Sequence, residues 1–266
     1  NIDKNFLFDL YLQIPPLPEQ KKIVSILTSV DEVIDNTQQQ IDKLQDLKKA
    51  TMNELLTKGI GHTEFKDSKL GRIPKSWEVV SLKKLVFIDV DSLKTNTDSN
   101  YSFKYIDISC VSTGKVSLPA NEIAFKDAPS RARKIVKCND VLIATVRPNL
   151  KAFAHFDEEG ENWVASTGFA ILRHKENCDS KFIYNFMLSD IVTRQIDALI
   201  VGSNYPAINT KDIKELTVLA PSLSEQQKIA SILSSIDKTI TQKSSKLSQT
   251  QSLKKSLMQD FLTGKV

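Results

Sequence analysis

The chain has 266 residues, with 36 Lys and Arg against 32 Asp and Glu, and a formal net charge of +4. This length allows one or two domains with a sizeable core, and 41% hydrophobic with 26% charged residues is ordinary for a globular protein. No apolar run approaches the roughly 18 residues of a membrane span, and the three cysteines form no CxxC pair. These features argue against membrane, disulfide-scaffold and Cys-type zinc classes and favour a cytoplasmic protein, while the small net charge alone does not indicate nucleic acid.

The first 60 residues contain the pattern of a long helix. Prolines at positions 15, 16 and 18 stand where helix entry tolerates them, and Gly59 stands where helices commonly end. Between them, over residues 19–58, mostly apolar side chains recur every seven residues in two series: Leu27, Ile34, Ile41, Lys48, Leu55 and Ile23, Val30, Thr37, Leu44, Thr51. A sustained period of seven is typical of a coiled coil, and an ordinary amphipathic helix packed on a core is the alternative.

Residues 61–206 are predicted to form one strand-rich α/β domain. A turn and a strand anchored by Trp77 open it, and short β-rich runs follow at 86–90, 103–108, 135–137, 141–146, 152–156 and 168–173. The turn at Cys138, Asn139 and Asp140 is a hairpin signal, because Asn tolerates positive φ. Residues 179–200 have helical periodicity, 202–206 are predicted to be a loop, and Asn209 begins a short helical turn.

The closing 60 residues repeat the opening ones. At a constant offset of 206, residues 15–57 and 221–263 share about 19 identities. Ser222 and Glu225 form a capping box before a second helix, 223–263, which keeps the seven-residue register. Because a compact middle domain brings the end of the first helix near the start of the second, we expect an antiparallel two-helix coiled coil roughly 60 Å long. The predicted fold class is α+β, divided into regions 1–60, 61–206 and 207–266.

Basic residues concentrate in the middle domain. The stretch 126–151 has a local charge of +5, from seven basic and two acidic side chains. Arg suits guanine edges and phosphates, Lys suits phosphates, and Asn can pair with adenine. A solvated basic surface is the alternative for any single residue, so charge alone leaves contact with nucleic acid open.

Catalytic motifs are missing from the sequence. There is no GxxxxGK or GxGxxG phosphate loop, no Asn-Pro-Pro-Tyr motif of an adenine methyltransferase, no HExxH and no G-x-S-x-G. His62, His155 and His174 are scattered, so no metal site is predicted. We therefore expect a non-catalytic protein, and these absences disfavour the alternative of a nuclease or methyltransferase in its own right.

Several segments resemble the conserved parts of type I restriction–modification DNA specificity subunits. They are residues 15–23 (PPLPEQKKI) and their echo 221–229 (PSLSEQQKI), with 70–77 (LGRIPKSW), 139–149 (NDVLIATVRPN) and 205–209 (YPAIN). The segments follow the order of the family and together cover essentially the whole chain. Asn139 is a departure, because the family more often has Gly before the Asp.

The resemblance implies a target recognition domain that reads one half of a bipartite double-stranded DNA site. It implies two conserved helices packed as an antiparallel coiled coil, which set the half-site spacing and bind modification (methyltransferase) subunits, with a restriction subunit joining the complex. No cofactor is expected on this chain, whereas S-adenosylmethionine, ATP and Mg are expected on the partner subunits. The residues expected to contact DNA are Arg131, Arg133, Lys134, Arg147, Asn149 and Lys151, with Ser203, Asn204 and Tyr205 on a second loop.

Members of the family normally have two recognition domains, and one is evident here. Residues 1–14 align with 207–220, so we expect either the C-terminal half of a longer subunit or a natural half-subunit. A half-subunit is expected to pair two-fold with a second copy and read a palindromic site; a strict monomer in sedimentation at micromolar concentration would be the contrary result. The rival interpretation is a coiled-coil protein-interaction module without a DNA role.

Overall fold

The computed structural model describes residues 14–200 and 206–263. Two long helices, α1 (Leu17–Lys58) and α5 (Leu223–Thr263), stand on either side of a strand-rich segment in the sequence. Their bounds lie within two residues of the predicted 19–58 and 223–263. Three shorter helices are α2 (Ser180–Met187), α3 (Asp190–Leu199) and α4 (Thr210–Glu215). The chain is α+β, as predicted.

The strands are short, and only some of them fall close to the predicted β-rich runs; the strand at Trp163–Ser166, for example, was not predicted. In chain order they are β1 (Phe65–Ser68), β2 (Gly71–Pro74), β3 (Glu78–Ser81), β4 (Val86–Ile88), β5 (Ser102–Ile106), β6 (Val111–Ser112), β7 (Lys115–Val116), β8 (Ile123–Ala124), β9 (Ala132–Val136), β10 (Val141–Ala144), β11 (Phe153–His155), β12 (Trp163–Ser166), β13 (Phe169–His174) and β14 (Thr217–Ala220).

Two four-stranded sheets form the centre of this segment. One has the order β11-β10-β13-β4 and is antiparallel throughout. The other has the order β8-β5-β12-β9, in which β5 and β12 run parallel. A two-residue turn joins β12 to β13 and so connects the two sheets. Strand β14 pairs antiparallel with β3 and returns the chain to the start of the segment.

Contacts divide the chain into two compact units, of which the larger comprises Lys48–Ser235. Its main core contains the buried side chains of α2 and α3 together with the fully buried Trp77. Leu56 of α1 and Ile229 and Leu233 of α5 belong to the same core. The unit therefore extends beyond the predicted 61–206, because the last turns of α1 and the first turns of α5 bury their apolar faces in it.

The smaller unit comprises Asn1–Leu47 and Ile236–Val266, and its described part is helical. Lys243 Nζ donates to Gln40 Oε1 at 2.6 Å, and Lys254 Nζ donates to Asp31 Oδ1. From the first of these bonds to the second, the residue number falls from 40 to 31 in α1 and rises from 243 to 254 in α5. The seven-residue series predicted from the sequence is buried or half-buried within this unit: Ile23, Leu27, Val30, Ile34, Thr37, Ile41 and Leu44, with Ile236, Ile240, Lys243, Leu247, Thr250, Lys254, Leu257 and Phe261.

Two local predictions were wrong in detail. The predicted helix 179–200 is broken into α2 and α3, because Ser189 leaves the helical conformation and its hydroxyl caps Val192 N–H. The turn at Asn139 has the expected positive φ of 68°. However, it does not form a hairpin, because β9 pairs with β12 whereas β10 pairs with β11 and β13. Pattern alone identifies strands without identifying their partners.

Glu225, in the first turn of α5, fastens that helix to the strand-rich segment. Its Oε2 accepts a hydrogen bond from Trp77 Nε1 at 3.0 Å. Its Oε1 accepts one from Ile60 N at 3.0 Å and lies 2.8 Å from His62 Nε2. The predicted capping box is thus half formed: Ser222 Oγ accepts from Glu225 N at 3.4 Å, while the carboxylate binds these other donors. A β-carbon at Gly59 would meet Glu225, His62 and Trp77, so this close approach requires glycine.

We predict that Glu225→Gln lowers the free energy of unfolding by about 1–3 kcal/mol, because an amide nitrogen would face donors that need an acceptor. The repeat supplies a matched control in Glu19, which aligns with Glu225 at the offset of 206 and is exposed. Glu19→Gln should change stability by no more than about 0.5 kcal/mol. Urea unfolding of both variants tests this, and equal losses would contradict the role assigned to Glu225.

Candidate nucleic-acid interface

A line of hydrogen bonds runs across the ends of both sheets and starts at Arg131. Arg131 is exposed, immediately before β9, and its carbonyl accepts from Thr167 N at 2.8 Å. The next residue, Gly168, accepts at its carbonyl from both the backbone N and the Oγ1 of Thr145, each at 2.8 Å. A β-carbon at Gly168 would lie against the side chain of Ile108, so a larger residue here would displace that side chain. These bonds bring the ends of β9, β10 and β12 together.

The line continues to Arg147 and to the segment that leads into α4. Arg147 N donates to Pro206 O at 2.7 Å, and Val146 forms an isolated bridge with Ala207. Ser203, Asn204 and Tyr205 lie outside the described residues and directly precede Pro206 in sequence. We call the surface formed by Arg131, Thr145, Arg147, Thr167 and Gly168 the basic edge.

The loop 147–151, next to the basic edge, has a constrained backbone. Arg147 and Lys151 both have φ of 49°, in the left-handed region that side chains other than glycine seldom adopt. Between them Pro148 begins a single 3-10 turn and is buried, whereas Asn149 and Arg147 are exposed. Residues held in this conformation concentrate at functional sites, because the surrounding structure must compensate for their strain.

Lys151 holds the loop in place. Its carbonyl accepts from Thr113 Oγ1 at 2.8 Å, and its Nζ donates to Leu188 O at 3.2 Å. The ammonium is half-buried at the C-terminal end of α2, where a positive charge is favourable beside exposed carbonyl groups. Lys151 thus has a contact within the fold, and its contact with DNA stays a prediction.

Arg133 and Lys134, also predicted to contact DNA, are engaged within the fold. Arg133 stacks on the Phe125 ring at 4.7 Å and donates to Ala132 O. Lys134 Nζ lies 2.7 Å from Asp89 Oδ2, with 12% and 19% of the two side chains exposed, and it also donates to Phe169 O. The side chains of Arg133 and Lys134 are therefore less exposed than those of Arg131, Arg147 and Asn149.

A buried ion-pair network supports the strand that leads to the loop. Asp140, whose side chain is 1% exposed, accepts two hydrogen bonds from Arg173, at 2.9 Å to Nε and 2.8 Å to Nη2. Arg173 Nη1 also donates to Asp91 Oδ2 at 2.6 Å. These bonds raise the pKa of Arg173 and, with Arg173 as the largest cause, lower the pKa of Asp91. The Asp of the motif 139–149 therefore has a structural contact, and its partner Arg173, 33 residues away, is not evident from the sequence.

Tyr105 and Asp107 are further polar groups near Arg131, and charge counting missed them. Tyr105 Oη donates to Asp107 Oδ1 at 3.4 Å. Burial, followed by the Asp107 charge, raises the pKa of Tyr105, while Ser166 and the Arg131 charge act in the opposite direction. Tyr105 therefore keeps its proton at neutral pH and remains a hydrogen-bond donor beside the basic edge.

Neither a metal centre nor a membrane-spanning helix is found in the described chain. Within residues 14–200 and 206–263, no group of three or more His, Cys, Asp or Glu side chains is placed to hold a metal ion. Over the same residues, every helix is too short or too polar to cross a bilayer.

Burial raises the pKa of the Cys178 thiol to about 12, so this buried cysteine is unreactive as a nucleophile.

Comparison with known proteins matches the chain to one family. The model of the type I restriction modification DNA specificity domain matches residues 1–46 and 74–250. The type I restriction enzyme MjaVIII specificity subunit of Methanocaldococcus jannaschii is 30% identical over the whole of this chain and 64% of its own length. The MjaX specificity subunit of the same organism, which carries a putative designation, is also 30% identical, over 61% of its length. The chain thus spans about three fifths of these curated relatives.

Solved structures of similar proteins agree with the fold. The HsdS subunit from Thermoanaerobacter tengcongensis has a TM-score of 0.56 and 29% identity, over 64% of this chain and 44% of that one. A chain solved in a study of complex assembly and conformational transition of the type I R-M system has a TM-score of 0.59 and 30% identity. That match covers 71% of this chain and 49% of the other.

Proposed function

Because the chain belongs to the family of type I restriction modification DNA specificity proteins, we propose that it reads one half of a bipartite double-stranded DNA site. In this proposal it is the non-catalytic specificity component of a complex whose partners carry out methylation and cleavage. S-adenosylmethionine, ATP and Mg belong to those partners, and no residue of this chain is assigned to hold them.

The observation that carries the proposal is the exposure of Arg131, Arg147 and Asn149 around the basic edge. Arg and Asn side chains have the donor and acceptor geometry that reads guanine and adenine in the major groove. The backbone beneath them is fixed by hydrogen bonds between segments far apart in sequence. The backbone therefore needs little further ordering when the surface binds, which favours selective binding.

The other predicted residues have supporting parts in the proposal. Arg133, Lys134 and Lys151 contribute positive charge close to the phosphates while their hydrogen bonds hold the strands and the loop. Ser203, Asn204 and Tyr205 are proposed as a second contacting loop, because Pro206 directly follows them and bonds to Arg147.

We further propose that α1 and α5 form an antiparallel coiled coil that binds modification subunits and sets the half-site spacing. The seven-residue burial pattern and the opposite sequence directions of the Lys243–Gln40 and Lys254–Asp31 bonds support this. A restriction subunit and a second copy of the chain are proposed as additional partners of the complex.

Salt-dependent binding to defined DNA tests the function. The chain is coexpressed with its modification subunit, and the methylated adenines identify the recognised sequence. We expect the purified complex to bind that duplex selectively, with log K falling linearly with log salt by about 0.9 per phosphate neutralised. A complex that methylates without sequence preference, or that binds scrambled duplex equally well, would contradict the proposal and favour a protein-interaction module.

A further inference from the structure

Leu150, at the tip of the loop 147–151, is an apolar side chain in a polar surface. It is 63% exposed, the highest value for a large apolar residue within the described part of Lys48–Ser235. Its sequence neighbour Asn149 is exposed as well, and Arg147 lies three residues before it. Because leucine carries no charge or polar group, the charge pattern of residues 126–151 does not indicate this position.

The loop holds Leu150 outside the core. Leu150 N donates to Arg147 O at 3.0 Å, and Lys151 N donates to Pro148 O at 2.9 Å, which closes the 3-10 turn. Pro148 occupies the buried position of the turn, and both flanking residues, Arg147 and Lys151, have left-handed backbones. A leucine on a mobile loop could turn towards the protein, whereas this one is fixed in water by a backbone that is itself strained.

The chemistry of the DNA edges suggests what covers it. Arg147 and Asn149 suit the purine edges in the major groove, where Arg binds guanine O6 and N7 and Asn binds adenine N6 and N7. In that groove the 5-methyl group of thymine is the apolar feature of the base edges. Leu150 belongs to the same five-residue loop as Arg147 and Asn149. If Leu150 contacts an apolar group of the base edges in that groove, the group is therefore a thymine methyl.

We propose that Leu150 packs against the 5-methyl group of a thymine in the recognised half-site and so determines specificity at that base pair. The inference rests on the proposed function and goes beyond it, because it names a base and a residue. Isolated exposed leucines are common on protein surfaces, so exposure alone would not carry it. The constrained backbone and the exposed Arg147 and Asn149 beside Leu150 are the additional observations.

Removal of the thymine methyl group tests the contact directly. The complex with its modification subunit is titrated with duplexes in which each thymine of the recognised site is replaced, one at a time, by deoxyuridine. For the unchanged chain we expect a loss of about fourfold in affinity at one position, the equivalent of one methyl-sized group returned to water. Leu150→Ala should bind the thymine duplex several-fold more weakly and should not distinguish thymine from deoxyuridine at that position.

Leu118→Ala is the matched control, since Leu118 is another exposed leucine of the same unit and lies outside the loop. It should keep both the affinity and the response to deoxyuridine. The proposal is overturned if no deoxyuridine weakens binding, or if Leu150→Ala still distinguishes the two bases. It is also overturned if 2-aminopurine fluorescence shows that Leu150 unstacks a base step instead, as a minor-groove wedge would. If the unchanged complex binds DNA selectively and any of these results is found, only the Leu150 contact is rejected. If the unchanged complex shows no selectivity at all, the proposed function is rejected together with the contact.

Discussion

Changing Arg131 and Arg147 together to alanine is expected to weaken binding of the complex to its recognised duplex by roughly 100-fold, since each base-reading or phosphate-binding Arg contributes about 1–3 kcal/mol. Both side chains are exposed at the basic edge, so their removal should leave the thermal unfolding midpoint nearly unchanged. Fluorescence anisotropy titration at fixed salt measures the loss.

Two controls separate side-chain contact from backbone and charge effects. Arg147→Gly removes the side chain and also suits the left-handed backbone at φ 49°, so it should lose DNA affinity without losing stability. Lys66→Ala with Lys69→Ala removes the same charge from exposed positions in the β1–β2 hairpin. If that pair weakens binding as much as the Arg pair does, the interface has been assigned to the wrong surface.

Asp140→Asn should destabilise the Lys48–Ser235 unit by about 3–5 kcal/mol, because it leaves the Arg173 guanidinium partly buried without its bidentate carboxylate. Urea unfolding measures this loss. Asp67→Asn is the control, since its side chain is exposed in the same unit and its change should stay within about 0.5 kcal/mol. The double change Asp140→Leu with Arg173→Met should recover part of the loss, because an apolar pair often replaces a buried ion pair without cost. A double variant less stable than Asp140→Asn would argue against this interpretation.

The same network gives stability a dependence on pH. Arg173 lowers the pKa of Asp91 below its ordinary 3.8, so the folded state holds this proton less tightly than the unfolded state. The stabilisation is therefore present in full above about pH 4 to 5 and is lost as pH falls through the lower folded value. Arg173→Met should remove that part of the acid sensitivity, which unfolding curves between pH 6 and pH 2.5 would detect; an unchanged acid profile would contradict it.

The sequence predicted the helices better than the sheets. The seven-residue series and the prolines before residue 19 located α1 to within two residues, because both signals are local. Several strands were predicted, but β12 was missed, and its pairing with β9 depends on residues about 30 apart and leaves no local trace. Hence the turn at Asn139 was read as a hairpin although its two strands belong to different sheets.

The site shows the same division between local and distant information. The basic stretch 126–151 includes Arg131 and Arg147, both of which the structure leaves exposed. It could not show that Lys134 is held by Asp89, 45 residues away, or that Lys151 reaches Leu188. The type of a side chain indicates what it can bind. Whether its hydrogen-bonding groups are already occupied depends on residues that are distant in the sequence.

The bonds that build the basic edge join main chain to main chain, apart from the Thr145 hydroxyl. Peptide groups of residues other than proline bond in the same way whatever side chain they carry. Residues 131, 149 and 150 can therefore change identity while the frame stays intact, whereas residue 147 must also tolerate a left-handed backbone. In the proposed function, natural drift at these positions would therefore change the DNA preference at little cost in folding. Pro148, which occupies the buried position of the 3-10 turn, should stay fixed while the residues around it vary among descendants of this protein.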